Sequence, residues 1–518
     1  MKKIIACFLS ILSFCLVFVG CNKKSAPLVV DEPSEEQTLQ VDNAKTTLIL
    51  DGSTAVAYAC PDRSMVSTLY FSVYMSLDQI NWVPIEVYLA DTRTQIVSTP
   101  ETYEDHTTYY TMFDFEGEAY LKVKYNNPTK NFSTKIRPVN NAESVEINPT
   151  AKTEIIKFTK TCQLSYEVNG DIYYNLHIFA NPLENYNLTG EVIYLAPGIY
   201  TADNCDYIKN VNKSDGSKAP TLVLKTNQTL YIAGGAVVKA GIQTTNARNV
   251  KIMGRGIVDM RTLNCGSHPA VNVSFCNSVL IDGLMFCDPA YYTVFAGQSS
   301  DLRISNIKSI SYTIWSDGVG TMACNNVKVS NSFFRTNDDG LAIYASTSDY
   351  YGDAYNHEYF KCVLWADNAH AINIGNLGSG DRYNRDYIYN IKFRDLDILE
   401  VHSMESSGAI HFACGSENII KDFLFEDIRV DDFTRSDLLK IHFIENEVNG
   451  VGYSISNIKF KNIYYTDVDP KGIIIKGYSA ERTVKDIYFE NLYVNGRKAT
   501  KNTLNLITNE FASNIVFS

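Results

Sequence analysis

The chain has 518 residues, more than one ordinary domain needs, with 12 cysteines and a formal net charge of −12. That acidic balance excludes nucleic acid as the expected partner, because phosphate binding requires clustered Lys and Arg. Tyr (34) and Phe (25) are abundant while Trp (3) is scarce, and aromatic content at this level favours strands.

The N-terminus reads as an export signal: Lys2 and Lys3, then a short apolar core from Ile4 to Val19, too short and wrongly flanked to span a bilayer. Gly20-Cys21, after Phe18-Val19, resembles a bacterial lipobox. It implies a lipoprotein lipidated at Cys21, anchored at the outer membrane or cell surface and facing the periplasm or exterior. Residues 22–43 are polar, contain Pro and Glu, and read as a disordered tether. Cys7 and Cys15 leave with the signal. The nine cysteines beyond Cys21, at 60, 162, 205, 265, 276, 287, 324, 362 and 414, are odd in number and lack C-x-x-C spacing. They read as buried small hydrophobes with no essential disulfide.

Residues 44–185 hold strand-like runs (STLYFSVYMS, WVPIEVYLA, EAYLKVKY, CQLSYEVNG, YYNLHIFA) split by turn clusters, and predict a β-sandwich. Its expected role is to cap the first coil of a second, repetitive domain, with glycan binding as the alternative. From VIYLAPGIY (192) and TLYIAGGAVVKAGI (229) the texture changes. A phrase then recurs: NVKIMGRGIVD, SVLIDGLMF, DLRISNIKSI, NVKVSNSFF, CVLWADNAHAINI, NIKFRDLDIL, DFLFEDIRV, NIKFKNIYY, DIYFENLYV and NIVFS, at steps of 23 to 36 residues. Period-two alternation means strands with one buried face. The bounded but irregular step excludes a strict propeller and predicts a right-handed parallel β-helix over 186–518, each copy one coil. Second strands are expected at GLAIYAS (340), AHAINIG (369), SGAIHFA (407), LLKIHF (438) and GIIIKGY (472), with 346–361 and 376–389 as loops. The fold class is therefore all-β: an N-terminal sandwich, then a parallel β-helix.

Aligning the second strands by their inward aliphatics stacks three polar residues. Asp317 lies two before Val319, Asp339 two before Leu341, and His370 two before Ile372. Asp338 adds a neighbouring carboxylate. Clustered carboxylates cannot all ionise freely, so one is expected to hold its proton and serve as a general acid. Another can activate a water for attack on a glycosidic carbon. Asp and Asn are also common in β-helix turns. A lone Asp-Gly says little; DG, then DDG, then His in one register says more. His370 is either a site residue or a satisfied turn histidine. Trp315 is either a sugar-stacking ring or core, and Tyr344 is expected to point outward toward a groove.

WSDGVG, NDDGLAIY and AHAINIGNLGSG resemble the motifs of glycoside hydrolase family 28, the polygalacturonase-type enzymes, which read Asn-Thr-Asp-Gly, Gly-Asp-Asp and Gly-His-Gly. The resemblance implies a right-handed β-helix, inversion by single displacement and no cofactor. It assigns Asp338 as the acid, Asp317 and Asp339 as activators of water, and His370 as a supporting residue. YLAPGIY, TLYIAGGAVVKAGI and LHIFANPLE are similar to family 49, the dextranases and isopullulanases, which join a β-sandwich to the same helix.

One departure bears on substrate. Where polygalacturonases place Arg-Ile-Lys against a uronate, this chain reads Ala409-Ile410-His411; Lys440 and Lys476 on later coils are the available substitutes. Gly-His-Gly has also become Ala-His-Ala. A buried uronate without a cation is costly. The expectation is thus an inverting hydrolase of a neutral, dextran-like α-glucan, touching substrate through His370, Trp315, Tyr344, His411 and Lys440, acting as a monomer without metal or cofactor. A pectin hydrolase, a non-catalytic glycan-binding helix and, more weakly, a polysaccharide lyase are the alternatives.

Overall fold

Period-two patterns become strands throughout, and among the described residues the only helical piece is a 3-10 turn at Arg63–Met65. The computed structural model describes residues 37–518 except 43, 96–101, 130, 140, 213–216, 376–384, 404–406 and 447–449. The signal peptide, Cys21 and most of the tether lie outside the described residues. Residues 38–42, expected at the tether's end, form instead the strand Thr38–Asp42, which pairs antiparallel with Lys45–Leu50.

The first part is two packed sheets. An eight-stranded sheet runs from Thr38–Asp42 to Thr134–Arg137, and a five-stranded sheet from Glu143–Asn148 to Val83–Ile85. Their inner faces share a core that includes Phe71, Phe113, Leu121, Ile156, Leu164 and Ile178. Burial alternates cleanly in Thr153–Phe158, as a strand half-buried on one face requires.

From Glu191 onward the coil strands stack in parallel, with antiparallel strand pairings only at Ile208–Asn212 with Lys218–Leu224, Glu445–Asn446 with Gly450–Val451 and Val484–Val494 with Arg497–Lys498 among the described residues. A 20-stranded sheet carries two rows of each coil and a 12-stranded sheet carries the third. One aliphatic core runs up the middle. Two side-chain ladders hold the stack. Tyr359, Phe393, Phe425, Phe460, Phe489 and Phe517 stack ring on ring inside, at centroid distances of 4.5 to 5.0 Å. That is the inter-strand spacing itself, about 4.8 Å. At one corner, Asn326, Asn356 and Asn390 sit at φ values of 54°, 58° and 55°. Asn356 and Asn390 each pass an amide to the residue one coil earlier, at 3.1 and 2.6 Å. Asn tolerates the left-handed conformation and can both donate and accept, so it suits a repeating turn.

One coil is displaced from its expected position. Cys362 does not open a copy of the recurring phrase. The strand that stacks on Asn325–Ser330 is Ala354–Phe360, inside the expected loop 346–361, with His357 opposite Val327 and Ile391. A histidine fills the inward aliphatic position, bonded to Tyr359 Oη (3.2 Å) and Cys324 O (3.0 Å), and burial lowers its pKa to about 4. An apolar search cannot see a core position occupied by a neutral histidine.

The sandwich is not a cap on the first coil. Tyr88, Tyr110 and Phe179 of its eight-stranded sheet pack along the side of the helix, against Val237, Ile257, Met285, Phe333 and Trp365. That row of the helix is apolar on its outer face as well as its inner one, so it needs a cover. Buried ion pairs accompany it: Arg255 with Asp114 at 2.9 Å, and Arg335 with Asp367 at 2.9 Å. Eight of the nine cysteines are buried and unpaired; Cys265 is exposed.

Candidate active site

Val319, Leu341 and Ile372 stand opposite one another on successive coils. The residues two positions earlier therefore form a column: Asp317, Asp339 and His370. The backbone holds it. Gly318 N donates to Asp339 O at 2.8 Å, and Gly340 N donates to His370 O at 2.8 Å. Glycine after each aspartate has a steric cause. A Cβ on Gly318 would lie 2.3 Å from Gly340 O, and one on Gly340 would lie 2.6 Å from Ala371 O.

Asp317 is buried, and burial followed by the charges of Asp338 and Asp339 raises its pKa. The Tyr292 hydroxyl opposes that rise. Its Oδ2 has no protein hydrogen-bond partner. Asp338 is partly exposed and accepts from Asp339 N at 3.0 Å. Desolvation, then the adjacent Asp339 charge, pushes its pKa up to about 8. Asp339 differs from both. Its Oδ1 accepts from His370 N (3.1 Å) and Nδ1 (2.7 Å), and its Oδ2 accepts from Asn373 Nδ2 (2.6 Å).

Beyond Asp339 the hydrogen bonds run in one direction. A carboxylate only accepts, so His370 carries its hydrogen on Nδ1 and presents Nε2 to the Ser407 hydroxyl. Asn373 gives its amide hydrogen to Asp339, so its oxygen receives His411 Nδ1 at 3.0 Å. His411 Nε2 is then free to accept from His442 Nε2 at 2.9 Å. Both are kept neutral: burial and neighbouring His370 and His442 depress His411, and burial with Lys440 takes His442 down to about 4. The His370 and His411 rings stack at 4.2 Å and 8°.

The other expected contact residues fall around this core. Trp315 is 56% exposed at the rim. Tyr344 points away from the helix core, yet it is only 2% exposed because Tyr292 and Met322 cover it; it does not line an open wall. His411 is buried. Lys440 stands opposite His411 on the next coil, beside Asp437 and Lys476.

Several site residues escaped the motif search. Tyr292 lies two before Val294, which pairs with Val319, so the same alignment would have found it. Asn373 and His442 lie on outward positions of strands already recognised. Arg93 left no signal. It belongs to sandwich strand Tyr88–Gln95, and its carbonyl accepts Asn337 Nδ2 at 2.7 Å and Asn368 Nδ2 at 3.2 Å. The segments carrying the aspartates and His370 are thus tied to the other domain.

Residues 261–512 match the model of glycosyl hydrolases family 28. Dex49A from Penicillium minioluteum shares the fold over 93% of this chain and 100% of its own, at a TM-score of 0.58 and 14% identity. The family 28 exopolygalacturonase of Yersinia enterocolitica aligns over 76% of this chain and 96% of its own, at a TM-score of 0.40 and 11% identity. Among curated proteins none matches this chain. The all-β architecture is that of a parallel β-helix, and the family match over the coils that carry the carboxylates supports a glycoside hydrolase.

Proposed function

We propose that the protein is an inverting hydrolase of a neutral poly- or oligosaccharide, with a dextran-like α-glucan as the first candidate. The observation that carries the reading is the division of labour among three carboxyls. Asp338 keeps a proton at neutral pH and is partly exposed. Its role is to protonate the departing glycosidic oxygen. Asp339 is held by three donors, and Asp317 stands beside it on the preceding coil, buried, with its own pKa raised. The role of Asp339 is to take a proton from water as it attacks the anomeric carbon from the opposite face, with Asp317 helping to hold that water. Bond making and breaking then occur in one step, and the configuration inverts. His370 orients Asp339 rather than transferring the proton. No step needs a cofactor.

A neutral substrate is favoured by the replacement of two cations with Ala409 and the uncharged His411. The likeness to family 49 across sandwich and helix points to an α-glucan. A galacturonan reading draws on the family 28 match and on Lys440, one coil from His411. We further propose a lipid anchor at Cys21, tested by metabolic labelling with a palmitate analogue; the Cys21→Ser protein must lose the label. The reaction is tested by following product anomers by NMR after digestion of dextran and polygalacturonate. Release of the inverted anomer from dextran supports the proposal. A retained configuration, or turnover of polygalacturonate alone, defeats it.

A further inference from the structure

The outer face of the 12-stranded sheet continues past the carboxylates toward the N-terminal coils. Phe295, Gly320, Ala342 and Asn373 stand opposite one another on successive coils. Phe295 is thus three coils from Asn373, roughly 14 Å at 4.8 Å per coil. Glycines on this face let aromatic rings lie flat. A Cβ on Gly320 would meet the Tyr292 ring at 2.3 Å, and one on Gly297 would meet the Tyr350 ring at 2.2 Å.

The result is a run of rings. Tyr291 lies 6.1 Å from Phe295, Phe295 lies 5.8 Å from Tyr350, and Tyr350 lies 5.3 Å from Phe275. Phe275 is 42% exposed and sits at φ +56°, a region bulky aromatics rarely enter. That conformation belongs to the corner, since Asn246, Gln298 and Ala323 adopt it at the same register on neighbouring coils; the exposed ring is what sets Phe275 apart. Beside the run opens a cavity of about 360 Å³, lined in part by Gln243, Asn272, Tyr291 and Phe295. Its described lining includes no Asp, Glu, Lys or Arg. Tyr291 is near enough to sense the charges of Asp317 and Asp338, so the cavity adjoins the carboxylates.

Aromatic faces with uncharged amides beside them match a pyranose ring. The ring's C–H face packs on the aromatic, and its hydroxyl edge meets the amides. A uronate would bring a charge that no Lys or Arg of the described lining pairs with. We propose that this face is a subsite for uncharged sugar rings of the same glycan chain, on the N-terminal-coil side of the scissile bond. The inference rests on the glycosidase reading above and deepens it by naming the face that would hold its sugar rings.

The test is calorimetry on the full-length Asp338→Asn protein, which binds without turnover, using isomaltoheptaose and heptagalacturonate as probes. Isomaltoheptaose is expected to bind, and heptagalacturonate to bind about tenfold more weakly or not at all. Phe275→Ala, at an exposed position, and Phe295→Leu, which keeps the apolar volume, are each expected to weaken isomaltoheptaose by about fivefold to tenfold. Three results overturn the subsite: no binding of isomaltoheptaose, equal or tighter binding of the uronate, or affinity unmoved by both variants. Failure of the glycosidase reading shows separately, as binding that persists while the native protein releases no reducing ends from any glycan.

Discussion

Replacing Asp338 with Asn should stabilise the protein and disable it together. In the fold its carboxyl keeps a proton up to about 8, whereas the ordinary value is 3.8. At pH 7 the folded chain holds a proton that the unfolded chain releases. Each pH unit above 3.8 costs about 1.36 kcal/mol, so wild type forgoes at most about 4 kcal/mol at this one side chain. Asn carries no such penalty and keeps nearly the same shape. The sign follows from the raised folded pKa: the favourable contribution is whole below 3.8 and is lost as pH climbs toward 8. The variant's advantage should therefore be near zero at pH 4, reach a few kcal/mol at pH 7, and level off above pH 8. Urea unfolding at a series of pH values measures it. Activity should fall about a hundredfold to ten-thousandfold, the usual contribution of a general acid. A stability gap that ignores pH, or a variant less stable than wild type at pH 7, would refute the assignment of the proton to Asp338. Retained activity would refute its role as the acid.

Three further expectations use other parts of the site. In wild type, kcat/KM should decline tenfold per pH unit above about 8, as Asp338 gives up its proton; a profile flat to pH 9.5 contradicts this. Asn373→Ala removes the 2.6 Å donation to Asp339 and strands His411 Nδ1, so kcat should fall by about tenfold to a hundredfold, from the 1.5–3 kcal/mol of a hydrogen bond to a charged group, with KM little changed. An equal rise in KM would instead make Asn373 a substrate contact. Asn337→Ala cuts the 2.7 Å tie to Arg93 O and should cost about 1–3 kcal/mol in unfolding free energy and lower kcat, although the residue is in a separate domain from its partner. Unchanged kcat would mean that the sandwich covers the helix without positioning the site.

The helix and the stacking of Asp317, Asp339 and His370 were readable from residue order because both follow from a period. Side chains alternate every two residues and coils repeat, so counting from inward aliphatics places one residue above another. The same counting failed at His357, where the inward residue is polar, and it set the coil boundary at Cys362 instead of in the strand Ala354–Phe360. It also placed Tyr344 outward but could not tell that Tyr292 and Met322 cover it, since they come from earlier coils.

What periodicity could not carry was the sandwich's position and the environment of each carboxyl. The row from Val237 to Trp365 looked like ordinary strands, and its outward apolar residues acquire meaning only when Tyr110 and Phe179 are seen packed on them. Arg93 meets Asn337 across 244 positions of chain, a contact no local pattern encodes. Adjacent Asp338 and Asp339 are identical in residue type. They part ways because one meets only a backbone N–H while three donors from a later coil converge on the other. Residue order along a repeat sets which side chains stack; solvent exclusion and hydrogen-bond partners, which set their protonation, exist only once distant coils and the second domain close around them.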